Sequence, residues 1–141
     1  MRMKTTLKSL TLFMILAASA YWLWYAAPFK VKDPSDPKFN PDKFAFRDYN
    51  SKDELTNVFR VLFPLGTGKE KVDKILVQSG RATAIVNKNT VKEGEVYINY
   101  NEPSDLFRSL KGTGHNFVYD SKNELVQIYA YGGAPVHDIK M

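Results

Sequence analysis

The stretch FVYDSKNELVQIYAY, Phe117–Tyr131, has the pattern of a β-hairpin and is the best guide to the fold. The segments His115–Tyr119 and Leu125–Tyr131 are rich in aromatic and β-branched side chains, which favour strands. The polar residues between them, Asp120–Glu124, predict a tight reversal of the chain. We therefore expect two antiparallel strands here.

Two further strands are predicted upstream of this hairpin. Glu95–Asn101 alternates Val96, Ile98 and Tyr100 with Tyr97 and Asn99, which is typical of a half-buried strand. Arg81–Lys88 is another candidate, followed by a turn up to Gly94. Four strands joined in chain order predict an antiparallel meander, with a longer loop at 101–113.

Two short helices are predicted before the strands. Ser51 and Glu54 form a capping box, in which the hydroxyl accepts from the Glu54 amide and the carboxylate reaches back. The apolar face that follows has helical spacing: Leu55, Val58, Phe59 and Leu62. Thr67–Glu70 predicts a second capping box, and Gly80 is the expected end of that helix. The predicted fold class is α+β, with the two helices covering one face of the sheet.

The segment 30–50 is rich in proline and charge and is predicted to be an extended linker. Its aromatic residues are unusual for a spacer: Phe39, Phe44, Phe46 and Tyr49. We favour packing of its second half along the domain, the alternative being a strand that docks a partner. The predicted organisation is a signal-anchor or signal peptide over 1–29, a linker over 30–50 and an α+β domain over 51–141.

The N-terminal run Leu10–Phe29 is uncharged and almost wholly apolar, and about 20 such residues suffice for a membrane-spanning helix. Arg2, Lys4 and Lys8 precede it without any acid, which predicts a cytoplasmic N-terminus and an exported C-terminal domain. A single-pass inner-membrane anchor is the first interpretation. The alternative is a secretory signal cleaved after Ala20, which follows the small residue Ala18 at the usual spacing.

Composition excludes several classes of protein. The 141 residues include no cysteine, which excludes disulfide scaffolds, thiolate metal sites and cysteine nucleophiles. The net charge of +5 owes three charges to the residues before the apolar run, leaving 17 basic and 15 acidic residues in the rest. Because those charges are interspersed, nucleic-acid binding is not expected.

No arrangement of residues typical of catalysis is found. His115 could pair with Asp120 or Asp105, but no nucleophile motif accompanies them, and His137 has no partner at metal-ligand spacing. An exported enzyme or ligand carrier built on His115 is the least favoured hypothesis. We expect no enzymatic activity, cofactor or metal.

The helix pair, the strand VYINY and the final hairpin resemble the BamE/SmpA-like fold family over Leu55–Tyr131. The resemblance rests on two segments. The first is Gly66 to Val72, at the opening of the second helix, and the other is the final hairpin from Phe117-Val118-Tyr119-Asp120 to Ile128. The resemblance implies a small bacterial envelope protein that binds other proteins, as in the outer-membrane β-barrel assembly machinery. The family's lipid-bearing cysteine is absent and Ser19 stands where it could have been, so an inner-membrane anchor replaces lipidation. β-Lactamase inhibitor proteins resemble the same architecture, so the fold does not name the partner.

Five tyrosines are spread over three of the predicted strands: Tyr97, Tyr100, Tyr119, Tyr129 and Tyr131. Tyrosine is enriched both in strands and at protein contacts, so we favour packing in the core and in cross-strand pairs, the alternative being a tyrosine-lined sheet face that binds a protein or peptide. The expected partner is a protein of the envelope or membrane, bound without catalysis. A secreted inhibitor-type or immunity-type protein of the same fold is the alternative. The candidate contact residues lie on the sheet and in the 101–113 loop: Tyr97, Tyr129, Tyr131, Leu106 and Phe107.

Overall fold

A computed structural model describes residues 2–88, 92–104, 114–130 and 133–137, with side chains from residue 8 onward. The chain divides into two compact units, Met1–Lys30 and Val31–Met141. Helix α1 (Arg2–Ala26) makes up most of the first unit. Its segment Lys8–Ala26 is apolar, with a mean hydropathy of 1.4, and none of it is buried. The predicted apolar helix is therefore confirmed as a helix that is long enough to cross a membrane.

The second unit contains one antiparallel sheet with its strands in chain order, as the sequence predicts. The strands are β1 (Thr83–Asn87), β2 (Val96–Asn101), β3 (His115–Tyr119) and β4 (Leu125–Tyr129). Ile98 pairs with Phe117, which pairs in turn with Ile128, so these three buried side chains form a row across the sheet. The β3–β4 turn forms because Asp120 Oδ1 accepts hydrogen bonds from the Lys122 and Glu124 amides, at 2.8 and 3.0 Å.

Helix α2 (Lys52–Leu62) packs on one face of this sheet. It begins as predicted, because the Glu54 amide donates to Ser51 Oγ at 3.1 Å. The Glu54 carboxylate accepts in return from the Asn50 amide at 2.7 Å. Phe59 contacts both His115 and Phe117, with ring centroids 4.8 and 5.6 Å apart. The apolar stripe read from the sequence is therefore the contact between helix and sheet.

Helix α3 (Lys69–Asp73) continues into a π-helical turn, Lys74–Ser79. The predicted capping box at its start is wrong: Gly68 occupies the N-cap, and the Thr67 hydroxyl donates to the Pro64 carbonyl at 2.6 Å. Asp73 ties this helix to the sheet, since the Tyr100 hydroxyl donates to its Oδ1 at 2.6 Å. Both helices therefore lie against the same face, which confirms the α+β arrangement of helices on an antiparallel sheet.

The segment that the sequence analysis set apart as a linker belongs to the second compact unit. Two short 3₁₀ turns, Pro41–Lys43 and Phe46–Asp48, fold it back on itself. Phe44, Phe46 and Tyr49 are buried in the core, and the Tyr49 hydroxyl donates to the Lys32 carbonyl at 2.9 Å. The second half of 30–50 thus packs on the domain and contributes three large aromatic side chains to its core.

The chain after β4 turns back and covers the outer edge of that strand. Tyr129 and Pro135 form a bridge, and the Val136 amide donates to the Ile128 carbonyl at 2.8 Å. The Arg60 Nε–H donates to the Val136 carbonyl at 2.8 Å, which connects this tail to α2. The strand at the opposite edge, β1, has only exposed residues along its length. Among the described residues, the β4 edge of the sheet is therefore covered by the tail, whereas the β1 edge is exposed.

Candidate functional site

The sheet has a second face that points away from α2 and α3, which we call the outer face. Because side chains alternate along a strand, its residues are those between the core positions. The strand pairing brings them into register across the sheet. The outer face consists of Thr83, Ile85, Asn87, Tyr97, Asn99, Asn101, Asn116, Val118, Gln127 and Tyr129.

Tyr97 and Tyr129 are the two aromatic side chains of the outer face, and both are half-buried. Tyr97 pairs with Val118, while Tyr129 pairs with the neighbouring Asn116. The Tyr97 hydroxyl donates to a Glu95 carboxylate oxygen at 3.3 Å. Desolvation raises the pKa of Tyr97, and the charges of Glu95 and Tyr129 add to the effect.

Val118 lies between these tyrosines in the register and is only 2% exposed, although it faces away from the helices. Its neighbours across the strands are Tyr97 and Gln127, and Tyr129 is its diagonal neighbour. Their longer side chains are the ones in position to shield it. The strand pairing therefore places two tyrosines next to a buried valine on the outer face.

The sequence-predicted contact residues separate into two groups. Tyr97 and Tyr129 share the outer face, whereas Tyr131, Leu106 and Phe107 lie outside the described residues. The tyrosines left out of the predicted contact set, Tyr100 and Tyr119, belong to the core: their hydroxyls are 3.1 Å apart, and Tyr100 also binds Asp73. Burial raises the pKa of both well above the ordinary value.

Asparagines form the other half of the outer face, and sequence reasoning did not select them. Asn99 and Asn116 are directly paired, and Asn99 Nδ2 donates to Asn116 Oδ1 at 3.1 Å. Asn99 Oδ1 is buried and has no hydrogen-bond partner among the residues that the structure describes. Because asparagine is depleted in strands, the alternation of Tyr97, Asn99 and Asn101 could have marked this face in the sequence.

A groove of about 580 Å³ runs from β1 across these asparagines. It is lined by Ile85, Val86, Asn87, Lys88, Asn99, Asn101 and Asn116. Gly114 lies next to this asparagine cluster, since a Cβ there would stand 2.5 Å from Asn99 Oδ1 and 2.8 Å from Asn101 Oδ1. The missing side chain at this position is therefore what leaves room for both carboxamides.

His115 is part of the core and not of a surface site. It is 1% exposed, and its Nε2 lies 3.0 Å from Thr56 Oγ1. The Thr56 hydroxyl gives its single proton to the Lys52 carbonyl at 2.8 Å, so Nε2 carries the proton that His115 donates to it. Asp120 is not close by, because it follows the far end of β3 and binds the hairpin amides, while Asp105 lies outside the described residues.

His137 also donates to the protein, with Nε2 2.9 Å from the Phe63 carbonyl oxygen. Among the residues the structure describes, no three His, Asp or Glu side chains gather as metal ligands would. The outer face is thus the feature of the described chain that best fits an interaction. No family model, curated protein or solved structure matches this chain.

Proposed function

We propose that the protein is a membrane-tethered bacterial envelope protein that binds another envelope or membrane protein without catalysis. The observation that carries the proposal is the position of Tyr97 and Tyr129, half-exposed on the outer face around Val118. Tyrosine supplies a large apolar surface together with a polar tip, and it is enriched at protein interfaces. The outer face is the proposed contact surface.

The tether is α1. Its apolar side chains are exposed, Phe13 to 70% and Trp24 to 63%, and Lys8–Ala26 spans about 28 Å at 1.5 Å per residue. That length is close to the roughly 30 Å hydrocarbon core of a bilayer. The cationic residues before it favour a cytoplasmic N-terminus, with Val31–Met141 on the other side of the inner membrane.

A BamE-like architecture is part of the proposal. The order of two helices followed by a four-stranded antiparallel sheet supports it, as does the aromatic hairpin at β3 and β4. In this interpretation the helices stabilise one face of the sheet while the other face is left to a partner. A secreted inhibitor-type protein would use the same face without the tether.

Affinity recovery tests the contact surface. The full-length chain, solubilised with its native membranes, should lose its co-purified partner when Tyr97→Ala and Tyr129→Ala are combined. Val61→Ala is the matched control, because Val61 is an apolar residue that is 49% exposed on α2. Unchanged partner recovery by the double variant, in a chain that remains folded, would contradict the proposal.

Membrane fractionation combined with N-terminal sequencing tests the tether. The proposal predicts an intact chain in the membrane fraction. A mature chain that begins at Tyr21 would instead establish the cleaved, secreted alternative, since a signal sequence shares the length and composition of α1.

A further inference from the structure

The open edge of the sheet, along β1, has the form of a site for strand pairing. All five residues of β1 are exposed, and the apolar Ile85 and Val86 are 50% and 52% exposed on opposite faces. Among the described residues β1 pairs with β2 alone, in a regular register. Proteins usually protect such an edge with charges, prolines or bulges, and the stretch 82–87 has none of these. This edge is therefore a template to which a further strand can pair.

The hydrogen bonds across the sheet show which backbone groups of β1 point outward. The Ile128 carbonyl accepts from the tail that covers β4, so the backbone groups of Ile128 point away from β3. Successive residues of an antiparallel strand bond to alternate neighbours, so Phe117 and Ile98 bond to each other and Val86 points away from β2. Ala84, two residues earlier, has the same orientation. Each of these two residues of β1 therefore presents one N–H and one C=O group at the open edge.

A second copy of β1 matches these groups reciprocally. When two β1 strands pair antiparallel with Ile85 opposite Ile85, each Ala84 lies opposite Val86 of the other copy. Each such pair exchanges two hydrogen bonds, so all the outward groups of Ala84 and Val86 are used. The smallest shift that keeps these groups facing each other is two residues, and it would place Ile85 opposite a polar residue, Thr83 or Asn87. The centred register is therefore the one that pairs the apolar residues.

The side chains of β1 are self-complementary in the same register. At the centre, the two Ile85 side chains form a non-hydrogen-bonded pair, the kind of pair in which side chains are closest to each other. On the opposite face, the small Ala84 leaves room beside the larger Val86 of the other copy. Both aliphatic residues that the single chain leaves half exposed thus gain an apolar neighbour.

The charges near β1 also favour a second copy as the occupant. Lys88 follows β1 at one end. Glu102 follows β2 at the other end of β1, because Thr83 pairs with Asn101. Antiparallel pairing brings unlike ends together, so Lys88 of each copy lies at the end that carries Glu102 of the other. Arg81 is one position beyond the residue opposite Lys88, so these two cations are not directly opposed.

We infer that two copies of the chain pair through β1 into a two-fold symmetric dimer with one continuous antiparallel sheet of eight strands, four from each copy. Opposed residues of paired strands point to the same side of a sheet. The outer faces of both copies therefore lie on one side of this sheet. The dimer leaves the proposed partner surface open, and the inference depends neither on that partner nor on α1.

Cysteine cross-linking tests the register, because the natural chain has no cysteine. The Cα atoms of a non-hydrogen-bonded pair are about 4.5 Å apart, within disulfide range. Ile85→Cys in the full-length chain should therefore give a disulfide-linked dimer on mild oxidation of native membranes. Val86→Cys is the control at matched exposure, because the two copies of Val86 are offset by two residues, about 6.6 Å along the strand, which exceeds disulfide range once the spacing between strands is added. No dimer from position 85, or equal yields from both positions, would overturn the inference.

Sedimentation equilibrium of the full-length chain in detergent tests the association itself. The natural chain should sediment as a dimer. Ala84→Pro should raise the dimer dissociation constant by about tenfold or more, because proline removes one outward N–H from each copy and leaves the ladder between β1 and β2 in place. A monomeric natural chain, including one whose β1 edge binds another protein instead, would overturn the inference.

Ile85→Lys provides a second route if Ala84→Pro does not fold, as judged by thermal unfolding. It places two like charges opposite each other at the centre of the paired strands, so it should also weaken the dimer. Val61→Lys on α2 is its control, since Val61 is 49% exposed against 50% for Ile85, and this variant should remain dimeric. An unchanged dimer in Ile85→Lys would overturn the inference.

Discussion

Gly80 and Phe46 are in close contact: a Cβ at Gly80 would stand 2.9 Å from Phe46 Cε2. The same Cβ would be 2.8 Å from the Leu76 carbonyl oxygen and 3.0 Å from Phe44. Gly80 has an ordinary right-handed conformation, with φ −79°, so close approach and not an unusual turn accounts for glycine here. Through this contact the segment before α2 that contains Phe44 and Phe46 packs against the end of the π-helical turn.

Gly80→Ala should therefore destabilise the second unit. Because a backbone oxygen and two buried rings cannot all move away, we expect a loss of about 1–3 kcal/mol in the free energy of unfolding. Urea denaturation of the full-length chain in detergent measures it. Gly68→Ala serves as the control with open space around the added carbon, and equal stability of the two variants would contradict the contact.

Thr56→Val should cost about 1–3 kcal/mol of unfolding free energy, because it leaves the buried His115 Nε2–H without its acceptor. Thr56→Ser keeps the hydroxyl and should recover most of this loss. Denaturant unfolding of both variants makes the comparison. If Thr56→Val were as stable as the natural chain, the hydrogen bond to His115 would contribute nothing to stability, because valine keeps the methyl group and replaces only the hydroxyl.

Alkaline pH should weaken the second unit. Burial raises the pKa of Tyr49, Tyr100 and Tyr119 in the folded chain, while unfolded tyrosine ionises near pH 10. Above about pH 10 the unfolded state therefore binds fewer protons than the folded state, and the free energy of unfolding decreases as pH rises. Below that pH these groups are protonated in both states, so their contribution is fully present.

Urea unfolding between pH 8 and pH 11, with tyrosinate absorbance recorded in parallel, measures this dependence. Tyr100→Phe should show a shallower decrease above pH 10, because one of the shifted phenols is removed. An identical slope for the variant and the natural chain would show that the buried phenols are not responsible.

The elements that follow from local pattern could be predicted from the sequence. The Ser51 cap, the apolar stripe of α2 and the Asp120–Glu124 turn depend on neighbouring residues, and each forms as expected. The cap at Thr67 was wrong because the helix begins one residue later, with Gly68 at the N-cap, and the Thr67 hydroxyl instead donates to the Pro64 carbonyl of the preceding turn. Spacing alone does not reveal which residue occupies the N-cap.

Long-range packing accounts for most of what the sequence did not reveal. Alternation along β2 assigns Tyr97 and Tyr100 to opposite faces, but only the packing of α2 and α3 on one of these faces decides which tyrosine is buried. The room for the Asn99 and Asn101 carboxamides depends on the close approach of Gly114, which lies more than ten positions later in the chain. No pattern along the sequence connects a turn glycine to two strand asparagines.

Photo-crosslinking in intact cells tests the central claim most directly. Tyr97 or Tyr129 is replaced by p-benzoylphenylalanine in the full-length chain, with Val61 on the exposed side of α2 as the matched control position. If the outer face binds a protein partner, irradiation should yield a discrete adduct from positions 97 and 129 and none from position 61. Adducts from position 61 alone, or from none of the three positions, would contradict the account.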